Sequence, residues 1–276
     1  MYWDDLDHHT GAEHLDHFWM AHPRIREEIN RRVTGDPALW PTAWFRRELA
    51  GRMPFARALS IGCGPGNLER DLVRRGIVAS VTGIDIVPSP LAFASGEAAG
   101  LPIRYEQADA YEYLRARPAS FEAIFFHASL HHFDRVDEIA ALVRRALVPG
   151  GVLYIDEYIG PSMSQWNVAR LLPPNIAYYR LPRVMRRPKL VRTPLNREDP
   201  TEAIASADIA PAIEKHFRIL VRRDYGGNLL LIIYPNLNKE APREVFDAGI
   251  EKLIAWEDDL LRRGRPSFHA VMVAEV

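Results

Sequence analysis

From Ala56 to about Gly160, short apolar runs alternate with amphipathic stretches, the pattern of strand–helix–strand units that build a parallel sheet. Ala58-Leu59-Ser60-Ile61 reads as a first strand, Val78 to Ile86 as a second, Ile103 to Gln107 as a third, Phe121 to Phe126 as a fourth and Val152 to Ile155 as a fifth. After the first strand, the spacing predicts a helix with Leu68 and Leu72 inward and Glu69, Arg70, Arg74 and Arg75 outward. Val136, Ile139, Val143 and Leu147 keep helical spacing before the fifth strand, and Pro149-Gly150-Gly151 is expected to end that helix. Upstream, residues 1–50 read as a helical cover: Pro23 opens a helix through Ile29 and Val33, and Gly35-Asp36-Pro37 stops it.

Beyond Gly160 the alternation breaks for about fifty residues, where Pro161, Pro173, Pro174, Pro182, Pro188, Pro194 and Pro200 are scattered among aromatics and arginines. An inserted cap over the sheet at about 160–212 is expected, within a core of 51–276. Regular structure resumes as a helix from Ile204 to Lys215, a strand from Phe217 to Arg222, a helix from Glu244 to Arg263 and a last strand from Phe268 to Val273. Leu229 to Tyr234 has no period and fits either a strand or a buried turn of helix.

Charge narrows the partners. Thirty-five basic and 36 acidic residues in 276 give a net charge of −1, so no global field recruits nucleic acid, and no RNA-binding module is recognisable. The exception is local: Arg170, Arg180, Arg183, Arg186, Arg187, Lys189, Arg192 and Arg197 carry eight positive charges with no Asp or Glu among them. Either the acid-rich segment Asp4 to Asp16 neutralises them, or arginines such as Arg183 and Arg186 meet an anionic acceptor. The single cysteine, Cys63, excludes an intrachain disulfide and multi-cysteine metal centres, which fits a reducing cytoplasm. The N-terminal acids lack the form of a signal peptide, and the apolar run Leu229 to Tyr234 is too short to span a bilayer.

The chemistry-bearing motif is Gly62-x-Gly64-x-Gly66 between a strand and a helix, where glycines let backbone approach a ligand. Asn67 replaces the third glycine of a dinucleotide fingerprint, and Gly66-Asn67-Leu68 lacks the Lys-Ser/Thr of a phosphate loop. Asp85 and Asp109 end the next two strands, the first where an acid accepts hydrogen bonds from a ribose diol.

Leu59-Ser60-Ile61-Gly62-Cys63-Gly64-Pro65-Gly66, Gly83-Ile84-Asp85-Ile86, Ala108-Asp109-Ala110, Ser129-Leu130-His131-His132-Phe133 and Leu147-Val148-Pro149-Gly150-Gly151 resemble, in order and spacing, the successive motifs of class I S-adenosylmethionine-dependent methyltransferases. The resemblance covers about residues 55–160. It implies an α/β, Rossmann-like, seven-stranded sheet with the last strand antiparallel, and S-adenosyl-L-methionine as cofactor. It also implies that Gly62, Cys63, Gly64 and Gly66 face the methionine end, Asp85 and Ile86 the ribose, Asp109 and Ala110 the adenine, and that His127 sits near the cofactor. Glu122 departs from the aspartate usual after Phe121. Flanking segments, among them His22-Pro23-Arg24-Ile25 and Asp156-Glu157-Tyr158-Ile159-Gly160-Pro161, are similar to a bacterial subgroup associated with glycan and secondary-metabolite biosynthesis. That likeness implies O-methylation of a sugar or oligosaccharide hydroxyl. A lipophilic phenol or quinone, for which Trp166, Tyr178 and Tyr179 would be the lining, and a catalytically silent cofactor-binding module are the alternatives.

A hydroxyl acceptor calls for a base. His131, Asp156 and Glu157 are the catalytic candidates, although adjacent strand residues point to opposite faces, so only one of the two acids should reach the cleft. Tyr158 and Tyr225 are candidate acceptor-positioning groups. His127, His131, Asp156 and Glu157 could also converge on a divalent ion such as Mg²⁺.

Overall fold

A computed structural model describes residues 18–276, so the acidic segment Asp4 to Asp16 lies outside the described residues. Pro23 and Pro41 each sit in the first turn of a helix, where a missing N–H costs nothing, opening α1 (Pro23–Thr34) and α2 (Pro41–Glu48). Gly35 ends α1 in the left-handed conformation. The sheet then builds through β1 (Ala58–Ile61), α3 (Asn67–Arg74), β2 (Val81–Asp85), α4 (Pro88–Glu97), β3 (Ile103–Gln107), α5 (Ala110–Arg115), β4 (Phe121–His127), α6 (Val136–Ala146) and β5 (Leu147–Tyr158). After the cap, which carries α7 (Val168–Arg180), come α8 (Ile209–His216), β6 (Arg218–Gly226), α9 (Leu230–Ile233), α10 (Arg243–Arg262) and β7 (His269–Glu275).

The strand order is β3-β2-β1-β4-β5-β7-β6. β7 runs antiparallel to both β5 and β6, and the strands from β1 to β5 pair in parallel. Strand alternation divides the interior into two layers. Leu59, Ile61, Ile124, Phe126, Leu153 and Ile155 pack with Ile139 and Val143 of α6. Ala123, Phe125 and Tyr154 face the other way, toward Ile25 and Ile29 of α1, Phe45 of α2 and Ile250 of α10.

Several boundaries differ from the sequence expectation for local reasons. The helix before β5 stops at Ala146, because Leu147 already pairs with Phe121 and a register shift follows; the glycines lie within the strand. The helix expected from Ile204 begins at Ile209, which places Pro211 in its first turn rather than its interior. Leu229 to Tyr234 is helical: α9 is followed by a 3₁₀ turn, and the N–H groups of Gly227, Leu229 and Leu230 donate to Oε1 of Glu257.

Glu257 is fully buried, and its other oxygen accepts from Arg32 at 2.6 Å. Arg32 also pairs with Glu28 and Asp258, so α1 is fastened to α10 by a charged network in which each buried ion has a partner.

Candidate active site

The carboxyl ends of β1 to β4 open a cavity of about 630 Å³, lined by the glycine loop, Asp85, Ile86, Asp109, Ala110 and His127, with Asp199 and Thr201 reaching in from the cap. This is where ligands sit in open α/β sheets. Gly62 has φ +67°, and a Cβ there would stand 2.6 Å from Cβ of Ser129; at Gly66, φ +77°, a Cβ would meet the Tyr105 hydroxyl at 2.2 Å. No other residue fits either position without moving a neighbour. Asp85 stiffens the loop as well as lining it: Oδ2 accepts from Gly64 N–H at 2.9 Å and Oδ1 from Val87 N–H at 3.0 Å. Asp109 caps α5, with Oδ1 accepting from Glu112 N–H at 3.0 Å. Burial pushes the Cys63 thiol far above its ordinary pKa, with Glu69 and Asp85 adding to the effect, so it is a packing residue and no nucleophile.

Two side chains expected at the surface are inside. Glu69 is fully buried in the cavity wall instead of running along the exterior, and Arg70 is nearly so, folded back against the glycine loop. Arg70 holds the loop, donating to the Pro65 carbonyl at 2.8 Å and to Asn67 Oδ1 at 2.5 Å. Both carboxylate oxygens of Glu69 lack a hydrogen bond to any described residue, and Glu69 lines the cavity. Burial raises its pKa, and Ser60, His127 and Arg70 offset this only in part. The signal in the sequence was Ser60, a polar residue in an otherwise apolar strand beside the loop.

Asp156 and Glu157 diverge, as their alternation requires. Glu157 lies on the α6 side, with Oε1 accepting from the N–H groups of Ser129 and Leu130 and Oε2 2.8 Å from Nδ1 of His131. Burial alone would raise the Glu157 pKa, but His131 and the two N–H groups outweigh it and hold the carboxyl below its ordinary value. For His131, burial opposes the charged ring, and Glu157 more than compensates, raising its pKa. Neither side chain lines the cavity.

Asp156 faces the other layer. Its Oδ1 accepts from the Tyr225 hydroxyl at 2.6 Å, and Oδ2 stands 4.0 Å from Nε2 of His127. Burial raises the Asp156 pKa despite His127, Tyr225 and Arg26 nearby. His127, at the end of β4, has a half-exposed side chain and lines the cavity, so it stands between that cavity and the Asp156–Tyr225 pair.

The remaining candidates scatter. Tyr158 and Trp166 both donate to the Pro161 carbonyl, at 2.8 and 3.2 Å, and pin the entry to the cap. Arg183 is exposed, and Arg186 stacks over Tyr179 at 4.9 Å; neither lines the cavity. The four-residue metal arrangement does not form, since Asp156 and Glu157 take His127 and His131 to opposite sides of the sheet. Among the described residues, His131, His132 and Glu202 bring donor atoms within 4.8 Å of one another.

Residues 59–155 match the family described as a methyltransferase domain. An uncharacterized methyltransferase of Mycobacterium tuberculosis is 32% identical over 105 residues, covering 38% of this chain and 52% of that protein. A ubiquinone biosynthesis O-methyltransferase of Xylella fastidiosa is 32% identical over 135 residues, covering 45% of this chain and 54% of its own. The chain spans about half the length of the curated relatives it matches. An S-adenosylmethionine-dependent methyltransferase from Archaeoglobus fulgidus shares the fold with a TM-score of 0.50 at 18% identity, over 85% of this chain and 92% of that one. Residues 59–155 thus match a methyltransferase-domain family over the same stretch whose motifs resemble the class I S-adenosylmethionine-dependent methyltransferases, and the fold is shared with a solved member of that kind.

Proposed function

We propose that the protein is an O-methyltransferase whose acceptor hydroxyl meets His127. The observation that carries this reading is the place of that side chain, at the wall between the cofactor cavity and the Asp156–Tyr225 pair. S-adenosylmethionine, when bound, supplies a methyl group on a positively charged sulfur. The chain's residues suit that molecule: the buried Glu69 carboxylate, with no hydrogen bond of its own, is a partner for the ammonium group, while Asp85 and Asp109 lie at the strand ends where the ribose and adenine are expected.

Within this reading His127 accepts the hydroxyl proton, and Asp156, held by the Tyr225 hydroxyl, stabilises the imidazolium that results. His131 and Glu157 act at one remove, fixing the turn after β4 that carries His127 and Ala128 past the cavity. They are positioning residues.

The flanking motifs favour a sugar hydroxyl, and the ubiquinone-pathway relatives favour a phenolic one. Transfer of labelled methyl from S-adenosylmethionine to a panel of sugars and of phenols, run with wild type and His127→Ala, tests the reading. Transfer to a hydroxyl in the first panel supports the glycan acceptor, and in the second the phenol. Cofactor binding without transfer to any member would leave a silent binding module, and wild-type turnover in His127→Ala would remove the base.

A further inference from the structure

The outer face of the cap is explained by neither the sheet nor the cofactor cavity. Ten large hydrophobic residues are exposed among the described residues, and six fall between positions 168 and 190: Val168, Leu172, Ile176, Tyr179, Val184 and Leu190. The first four stand at i, i+4, i+8 and i+11 of α7, one stripe about 17 Å long at helical rise. The opposite side of the helix is already used: Pro174, Ala177 and Tyr178 are buried, and the Tyr178 hydroxyl donates to the Pro188 carbonyl at 3.1 Å. α7 is thus apolar on two sides, and only the inner side meets the core. Single exposed hydrophobics are ordinary, whereas a row of them marks a contact surface.

The charges around the stripe say what kind of contact. Between Glu157 and Glu198 there is no acidic residue, while eight arginines and lysines lie between 170 and 197. Seven of the eight are exposed, and Arg186 is half-buried against Tyr179. Where Arg170 and Arg197 make hydrogen bonds, the acceptors are the Gln165 carbonyl and the Thr193 hydroxyl, not carboxylates. A solvated face mixes signs, and a buried protein–protein core is poor in charge. An apolar stripe flanked by cations of one sign, on a chain whose net charge is −1, is the composition of a helix lying in the plane of an anionic lipid interface.

We propose that this face docks the protein on the surface of an anionic bilayer, with Val168, Leu172, Ile176 and Tyr179 entering the boundary between headgroups and acyl chains and the arginines pairing with lipid phosphates. The contact is peripheral, since no helix of the described residues is long and apolar enough to cross a membrane. It does not depend on the acceptor or on methyl transfer, because none of the stripe or its cations lines the cavity.

Co-sedimentation of the full chain with phosphatidylcholine vesicles, and with vesicles that also contain phosphatidylglycerol, tests this. Partitioning onto the anionic vesicles is expected to exceed that onto neutral ones by roughly tenfold or more, and to weaken with added salt. Leu172→Ser combined with Ile176→Ser should lower partitioning by about tenfold, and Arg180→Glu with Arg187→Glu should remove the preference for anionic lipid. Calorimetric affinity for S-adenosylhomocysteine should stay at the wild-type value in both, which certifies folding independently. Equal partitioning onto the two vesicle types, or double variants that bind like wild type, would overturn the proposal. So would analytical ultracentrifugation in which wild type self-associates through the stripe and Leu172→Ser/Ile176→Ser does not, or tighter binding to single-stranded RNA than to anionic vesicles.

Discussion

The adjacent acids of β5, Asp156 and Glu157, each pair with a histidine, one on each side of the strand, and the two pairs are built differently. His131 and Glu157 are buried, 2.8 Å apart, and every Glu157 oxygen is occupied. His127 and Asp156 are 4.0 Å apart, with the histidine half-exposed at the cavity wall. A closed pair has no capacity left for a substrate; it can fix a turn. A loose pair with one partner facing a cavity retains an acceptor for a proton and room for the group that brings it.

The sharpest way to break this contrast is to exchange the consequences. His127→Ala should lower turnover by about a hundredfold or more with thermal stability nearly unchanged, as steady-state kinetics and a melting curve would reveal. If His131→Ala shows that profile instead, the two roles are reversed.

Next in size is Glu157→Gln, which leaves a buried charge without its partner and should cost about 3 kcal/mol of stability in chemical denaturation. Its pH dependence separates an ion pair from simple packing. The raised pKa of His131 contributes stability that is full below the ordinary histidine value of 6.5 and is lost as pH climbs through the raised one. The lowered pKa of Glu157 contributes stability that is full above its ordinary 4.5 and is lost as pH falls through the lowered one. The gap in Tm between wild type and Glu157→Gln should therefore be widest between pH 4.5 and 6.5 and narrow on either side.

Glu69→Gln should weaken S-adenosylmethionine binding by about tenfold, the size of one charged hydrogen bond, with little effect on S-adenosylmethionine analogues that lack the ammonium. The smallest effect is expected for Tyr225→Phe, a loss of turnover of roughly fivefold, because Asp156 keeps its place near His127 but loses the hydroxyl that orients it.

Legibility in the sequence followed the same division. The glycine loop, Asp85, Asp109 and the strands from β1 to β4 announce themselves, since a strand, a turn and a helix in series are written in local spacing. That Asp156 and Glu157 part company could be read from alternation, but not which of them would face His127. That depended on Tyr225, 69 residues away, and on the backbone donors of Ser129 and Leu130. Glu69 was misplaced because helical periodicity assumes water on one side of a helix, and the first turn of α3 has a binding cavity there. The stripe of α7 was hidden for the opposite reason: its apolar residues look like core until neighbours are counted on one side only.

The charged network on α1 bears on how the chain folds as it is made. Arg32 waits for Glu257 and Asp258, which are 225 and 226 residues further on. At ribosomal speeds that interval is on the order of 10–50 seconds, during which Glu28 is the arginine's carboxylate partner among the described residues. The parallel strands through Tyr158 are complete well before then. The strands through Tyr158 can therefore assemble first, with Ile25 and Ile29 of α1 packed against Ala123, Phe125 and Tyr154, and Arg32 gains its buried partner only when α10 arrives.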